Sequence, residues 1–169
     1  MNKIIFLDID GVLNSNLGNN GHEKEISDGT LIDPEKIQLL SELVKNTGAK
    51  IVLHSGWKFW FDSNLHPLRK EAYHLLKLLR RENIAIDSVT PDHSTEEIKR
   101  NKKFSLVKAT EILAWLEEHE EVEEWIVIDD LDLHNQEVEA HQLRIDSSVG
   151  LTASDVHKAE IMLRKGGSL

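Results

Sequence analysis

Apolar positions along the chain follow two rhythms. Ile4-Ile5-Phe6-Leu7 is an unbroken apolar run, the pattern of a strand covered on both faces, and it stops at Asp8-Ile9-Asp10-Gly11. Comparable short runs recur at 50–54, 84–89 and 125–128, with a weaker one at 142–145. Between them the spacing changes to threes and fours. Asp33-Pro34 offers a cap and a first-turn proline, and Ile37, Leu40 and Val44 follow on one face until Gly48. A second helix is predicted over 67–82 through Leu68, Ala72, Leu75, Leu76 and Leu79. A third covers 105–119 through Ala109, Ile112, Leu113 and Leu116, and a last one opens at Thr152 with Val156, Ala159, Ile161 and Leu163. Residues 14–31 and 90–104 are polar and read as loops. Strands alternating with helices of this length predict an α/β fold, a three-layer α/β/α sandwich around a mainly parallel sheet.

Three of the predicted strands end in small polar or acidic residues. The first ends in Asp8 and Asp10, the second in His54-Ser55-Gly56-Trp57, and the fourth in Asp129-Asp130. In open parallel sheets ligands bind beyond the carboxyl ends of the strands. Turn capping explains any one of these endings, but it would have to arise separately at all three. A hard cation such as Mg²⁺ takes oxygen ligands, so carboxylates from different strands plus a substrate phosphate suit it. A carboxylate in such a site can also act as a nucleophile, and a second one two residues on can move protons.

Bulk properties narrow the choice. A length of 169 residues fits one globular domain, expected to span 1–169, with no internal repeat. A net charge of −10 speaks against a broad nucleic-acid surface, leaving room only for a local basic rim. The chain has no cysteine, so thiolate metal sites and disulfides are excluded. No apolar stretch is long enough to span a bilayer, and a cytoplasmic protein without membrane partners is expected.

Asp8-Ile9-Asp10-Gly11-Val12-Leu13-Asn14, Ser55, a downstream lysine and Asp129-Asp130 together resemble the four motifs of haloacid dehalogenase-like (HAD) phosphohydrolases. The Ser55-Gly56-Trp57-Lys58 ending and the stretch from Trp115 to His119 and on to Asp129-Asp130 are similar to a narrower HAD group found in RNA-repair proteins. The resemblance implies a Rossmann-like sheet and a Mg²⁺-dependent phosphatase working through an aspartyl-phosphate. Asp8 would be the nucleophile and a metal ligand; Asp10 would be the general acid/base and offer its backbone carbonyl to the metal. Ser55 would hold a phosphoryl oxygen. In the acidic pair Asp130 is favoured as the direct ligand, with Asp129 orienting it or pairing the lysine. Lys102, Lys103 and Lys108 compete for the lysine role, and Lys108 is preferred because it falls in the first turn of its helix, where a cation opposes the helix dipole unless an anion is held there.

Other features compete for attention. His54 reads as a packed or hydrogen-bonded core histidine, and no histidine pair has zinc-site spacing. Trp57, Trp60 and Phe61 either pack beneath their loop or stack on a nucleotide base. The basic run Lys99-Arg100-Asn101-Lys102-Lys103, with Lys58, is either a solvated loop or a border that steers a polyanion. No segment looks long enough for a separate cap domain, which implies an open site admitting small or macromolecular phosphorylated substrates, a nucleic-acid end among them. The alternative to an enzyme is a non-catalytic module binding phosphorylated ends or a partner protein.

Overall fold

The computed structural model describes residues 2–15 and 32–164. Five strands, β1 (Asn2–Leu7), β2 (Lys50–Leu53), β3 (Ile86–Val89), β4 (Val122–Asp129) and β5 (Gln142–Arg144), form one sheet. All pairings are parallel, in the order β3-β2-β1-β4-β5. Helices α1 (Pro34–Thr47), α2 (Lys70–Arg81), α3 (Glu96–Asn101), α4 (Ser105–Glu117), α5 (Gln136–Glu139) and α6 (Ala153–Arg164) lie between or after the strands, and a 3₁₀ turn spans Gly56–Trp60.

The alternation of β1 sorts these helices into layers, because successive strand residues face opposite sides of a sheet. Ile5 and Leu7 join Ile51, Leu53, Ile126 and Ile128 in one core with α1, α2 and α6. Ile4 and Phe6 join Val52 and Val127 in a second core with Ala109, Ile112 and Trp115 of α4 and Val138 of α5. The three-layer α/β/α arrangement is therefore as expected.

Asp33 caps α1 through its side chain, Pro34 occupies the first turn, and Gly48 closes the helix at φ 72°. Local assignments differ in several places, among them a short helix at Gln136–Glu139 and a third strand that begins at Ile86 rather than 84. Leu68 precedes α2 and is exposed, while Leu78 is buried in its stead. Ile161 is exposed, since it falls off the Val156, Ala159, Leu163 stripe that turns inward. The stretch 90–104 contains α3, begun by Thr95, whose hydroxyl accepts the Ile98 N–H. The fourth strand starts three residues early, at Val122, and pairs along the whole of β1. The expected absence of a cap rests largely on 16–31 and lies outside the described residues. Among the described residues no helix is long and apolar enough to cross a membrane.

Candidate active site

Register brings the key side chains to one level. Leu7 aligns with Leu53 on β2 and with Ile128 on β4, so the next residues, Asp8, His54 and Asp129, form one row just beyond the strand ends. Backbone bonds from Asp8 N–H to the Ile128 carbonyl (3.0 Å) and from His54 N–H to the Leu7 carbonyl (3.1 Å) carry the ladders up to that row. With a period of two, Asp8 shares the face of Ile4 and Phe6, the face covered by α4. Lys108 enters from the first turns of that helix.

These groups make one buried network. The Lys108 ammonium donates to Asp129 Oδ2 at 2.8 Å and lies 3.3 Å from Asp8 Oδ1. His54 Nε2 carries the proton it gives to Asp129 Oδ2 at 2.7 Å, and Asp129 Oδ1 accepts the Leu131 N–H at 2.9 Å. Asp129, wholly buried, is thus saturated with donors. Burial opposes its ionisation, but the His54 hydrogen bond and the Lys108 ammonium outweigh burial and hold its pKa below the usual carboxylate range. Asp8 fares differently. Burial, reinforced by the Asp129 charge, outweighs the pull of Lys108 and raises its pKa to about 7. Burial also works against the Lys108 charge, but Asp8 and Asp129 prevail and raise its pKa.

Asp130 also neighbours Asp8. It is half-buried, and burial, helped by the neighbouring Asp129 carboxylate, raises its pKa against the lowering hydrogen bond with the Asp8 carboxyl. Its Oδ1 is buried without a hydrogen-bond partner among the described residues. Gly11 makes room for it: φ is +83°, and a Cβ there would fall 2.5 Å from Asp130 Oδ2.

Asp10 points outward and is exposed. One carboxylate oxygen accepts from Trp57 Nε1 and the other from Asn14 Nδ2, both at 3.2 Å, while Asn14 Oδ1 accepts the Gly11 N–H at 2.7 Å. Ser55 caps the 3₁₀ turn: its oxygen accepts the Trp57 N–H at 3.1 Å, leaving the hydroxyl proton to donate elsewhere.

Six of the residues singled out in the sequence, Asp8, Asp10, Ser55, Lys108, Asp129 and Asp130, therefore gather at the carboxyl edge of β1, β2 and β4. The order β3-β2-β1-β4-β5 reverses direction between β1 and β4, so this edge is also the switch point where open sheets bind ligands. Lys102 and Lys103 stay outside, exposed at the end of α3. Lys58 does not border the opening; it is buried, and its ammonium meets Glu111 Oε1 at 3.0 Å. Trp57 and Phe61 are buried, and Trp60 carries the Arg69 guanidinium over its ring at 4.5 Å. The exposed aromatic of the 3₁₀ turn is Phe59, 40% accessible and 5.9 Å from the Phe104 ring. Glu111 is a site neighbour not expected from the sequence, although Lys108, Glu111, Ile112 and Trp115 share one helical stripe, all buried.

The family model for the HAD domain in Swiss Army Knife RNA repair proteins matches residues 4–156. The chain belongs to this family. The match runs from β1 into α6 and takes in every residue of the site. No curated protein and no solved structure matches the chain. Membership makes this a HAD domain and accounts for the parallel sheet. Among the described residues Asp8, His54 and Asp129 also each offer one possible ligand atom within 4.8 Å of the others.

Proposed function

We propose that this HAD domain is a Mg²⁺-dependent phosphohydrolase acting on phosphomonoesters through an aspartyl-phosphate on Asp8. The observation that carries the reading is that two neighbours of Asp8 are a buried lysine, 3.3 Å away, and Asp130, which keeps an unpartnered, buried carboxylate oxygen. A buried polar atom without a partner costs about 1–3 kcal/mol, which a bound ligand would remove.

The donor set fits a hard cation. Asp8, Asp130 and the Asp10 backbone carbonyl would hold Mg²⁺ through oxygen alone. Asp129 is a poorer direct ligand, because His54, Lys108 and the Leu131 N–H already occupy it. The Asp8, His54, Asp129 triplet likewise encloses the Lys108 ammonium and includes an imidazole, which Mg²⁺ does not favour. When bound, Mg²⁺ would neutralise charge on the phosphoryl oxygens and on Asp8.

In the first step a carboxylate oxygen of Asp8 attacks phosphorus and the bond to the leaving oxygen breaks. Asp10, held by Trp57 and Asn14, gives that oxygen a proton. Ser55 and Lys108 donate to the phosphoryl oxygens as charge shifts. In the second step Asp10 takes a proton from water as the water attacks phosphorus, which frees phosphate and restores Asp8.

The family description favours phosphorylated nucleic-acid ends as substrates. Phe59, exposed on the 3₁₀ turn that Ser55 caps and touching Phe104, supports the same reading, since an aromatic there can stack on a terminal base. The test is phosphate release with Mg²⁺ from a panel of nucleotides, sugar phosphates, phosphopeptides and oligonucleotides phosphorylated at 3′ or 5′ ends. Turnover strongest on one oligonucleotide end supports both parts of the reading. Tight binding of phosphorylated ends without release anywhere in the panel would instead mark a binding module.

A further inference from the structure

A second buried ion pair lies one helical turn from Lys108. The Lys58 and Glu111 side chains are 5% and 4% exposed and meet at 3.0 Å. The ammonium also donates to Thr90 Oγ1 at 3.1 Å and to the Pro91 carbonyl at 2.9 Å, so each of its three protons has an acceptor. Glu111 Oε2 accepts the His93 N–H at 2.8 Å. The pair thereby joins three segments at the carboxyl edge of the sheet: the 3₁₀ turn after β2, the loop after β3, and α4.

Each end of this link carries part of the proposed chemistry. The 3₁₀ turn has Ser55 at its cap and Trp57 against Asp10; α4 has Lys108 three residues before Glu111. A five-residue 3₁₀ turn has few internal bonds with which to hold its place. A buried ion pair is also an inefficient source of stability, because apolar residues of similar volume commonly do as well. What the pair supplies, and apolar packing does not, is a fixed direction and distance between two elements.

We propose that Lys58 and Glu111 are positioning residues, a clasp that sets Ser55 and the Trp57–Asp10 contact against Lys108. This rests on the phosphohydrolase reading for its consequence in turnover, but not for its consequence in structure. Two readouts on the variant K58M/E111L separate them. The first is kinetic: with melting temperature near wild type, kcat falls about 10- to 100-fold while KM changes little, as expected for a small misplacement of reacting groups. The second is the Trp57 indole N–H signal in a ¹⁵N–¹H spectrum, assigned by its loss in W57F. It shifts in the double variant while that of Trp125, on β4, stays in place. If the double variant unfolds, Glu111→Gln, which removes the charge but keeps an oxygen for the His93 N–H, is expected to move both readouts the same way by less. A variant with wild-type melting temperature and an unmoved Trp57 signal, or with unchanged kcat, overturns the clasp. A wild-type protein without turnover contradicts the phosphohydrolase reading, and the indole signal then decides the clasp alone.

Discussion

Asp8 and Asp129 stand in the same row of the sheet and share one lysine, yet their environments drive their ionisation apart. Asp129 receives three good donors, whereas Asp8 has the longer contact to Lys108 and faces two other carboxyls. With the pKa of Asp8 raised to about 7, the folded protein without metal holds a proton there that the unfolded chain has already lost above about pH 4. The native state then binds more protons than the unfolded state, so this contribution to stability declines as pH rises from about 4 through 7. Thermal unfolding in EDTA should show a melting temperature that falls less from pH 5 to pH 8 in Asp8→Asn than in wild type. Asp129 acts in the other sense: its contribution is present above about pH 4 and is lost as acid is added below that. Gly11 offers a second test. An alanine there combines φ +83° with a Cβ 2.5 Å from Asp130 Oδ2, so Gly11→Ala should cost about 1–3 kcal/mol and shrink the rise in melting temperature that Mg²⁺ produces.

Among the elements, α4 bears the most on the site, since its inward stripe carries Lys108 and Glu111 as well as Ala109, Ile112 and Trp115. Removing the lysine charge with Lys108→Met leaves Asp8 and Asp129 without a shared counter-ion. Urea unfolding at pH 8 should show a loss of about 3–5 kcal/mol, the usual cost of breaking a buried pair from one side. The elements that position the site were legible in the sequence because their signals are local: apolar runs ending in acids mark β1 and β4, and Asp33-Pro34 with Gly48 marks α1. The convergence of Asp8, Ser55 and Asp130 followed from the same endings. Less legible were Lys58 and Glu111, whose partners come from separate segments, so that each alone looks like a surface charge. The α3 helix was hidden by its brevity, although Thr95 followed by Glu96-Glu97 is a helix-start signal. The exposure of Phe59 is not legible because a 3₁₀ turn, unlike a strand or an α-helix, gives no clear rule for which of several adjacent aromatics faces solvent.

For the whole molecule, a net charge of −10 means that attraction of a polyanion must be local. The run Lys99 to Lys103 leads in the chain directly into Phe104, which touches Phe59, so a basic segment and stacking groups adjoin along one surface rim. If that rim takes a nucleic-acid end, Phe59→Ala should raise KM about 5- to 100-fold for a phosphorylated oligonucleotide and leave a small phosphoester unaffected, as loss of one stacked base implies. Asp10→Asn should slow turnover about 10²- to 10⁴-fold on either substrate, measured under saturating conditions, since it removes the proton carrier from both steps. The most direct test of the account remains Mg²⁺-dependent phosphate release by wild type and by Asp8→Asn, each shown to be folded by its melting curve. Release by wild type that vanishes in Asp8→Asn is the predicted result; a folded wild type with no release from any phosphomonoester, or an Asp8→Asn variant that turns over at the wild-type rate, would contradict it.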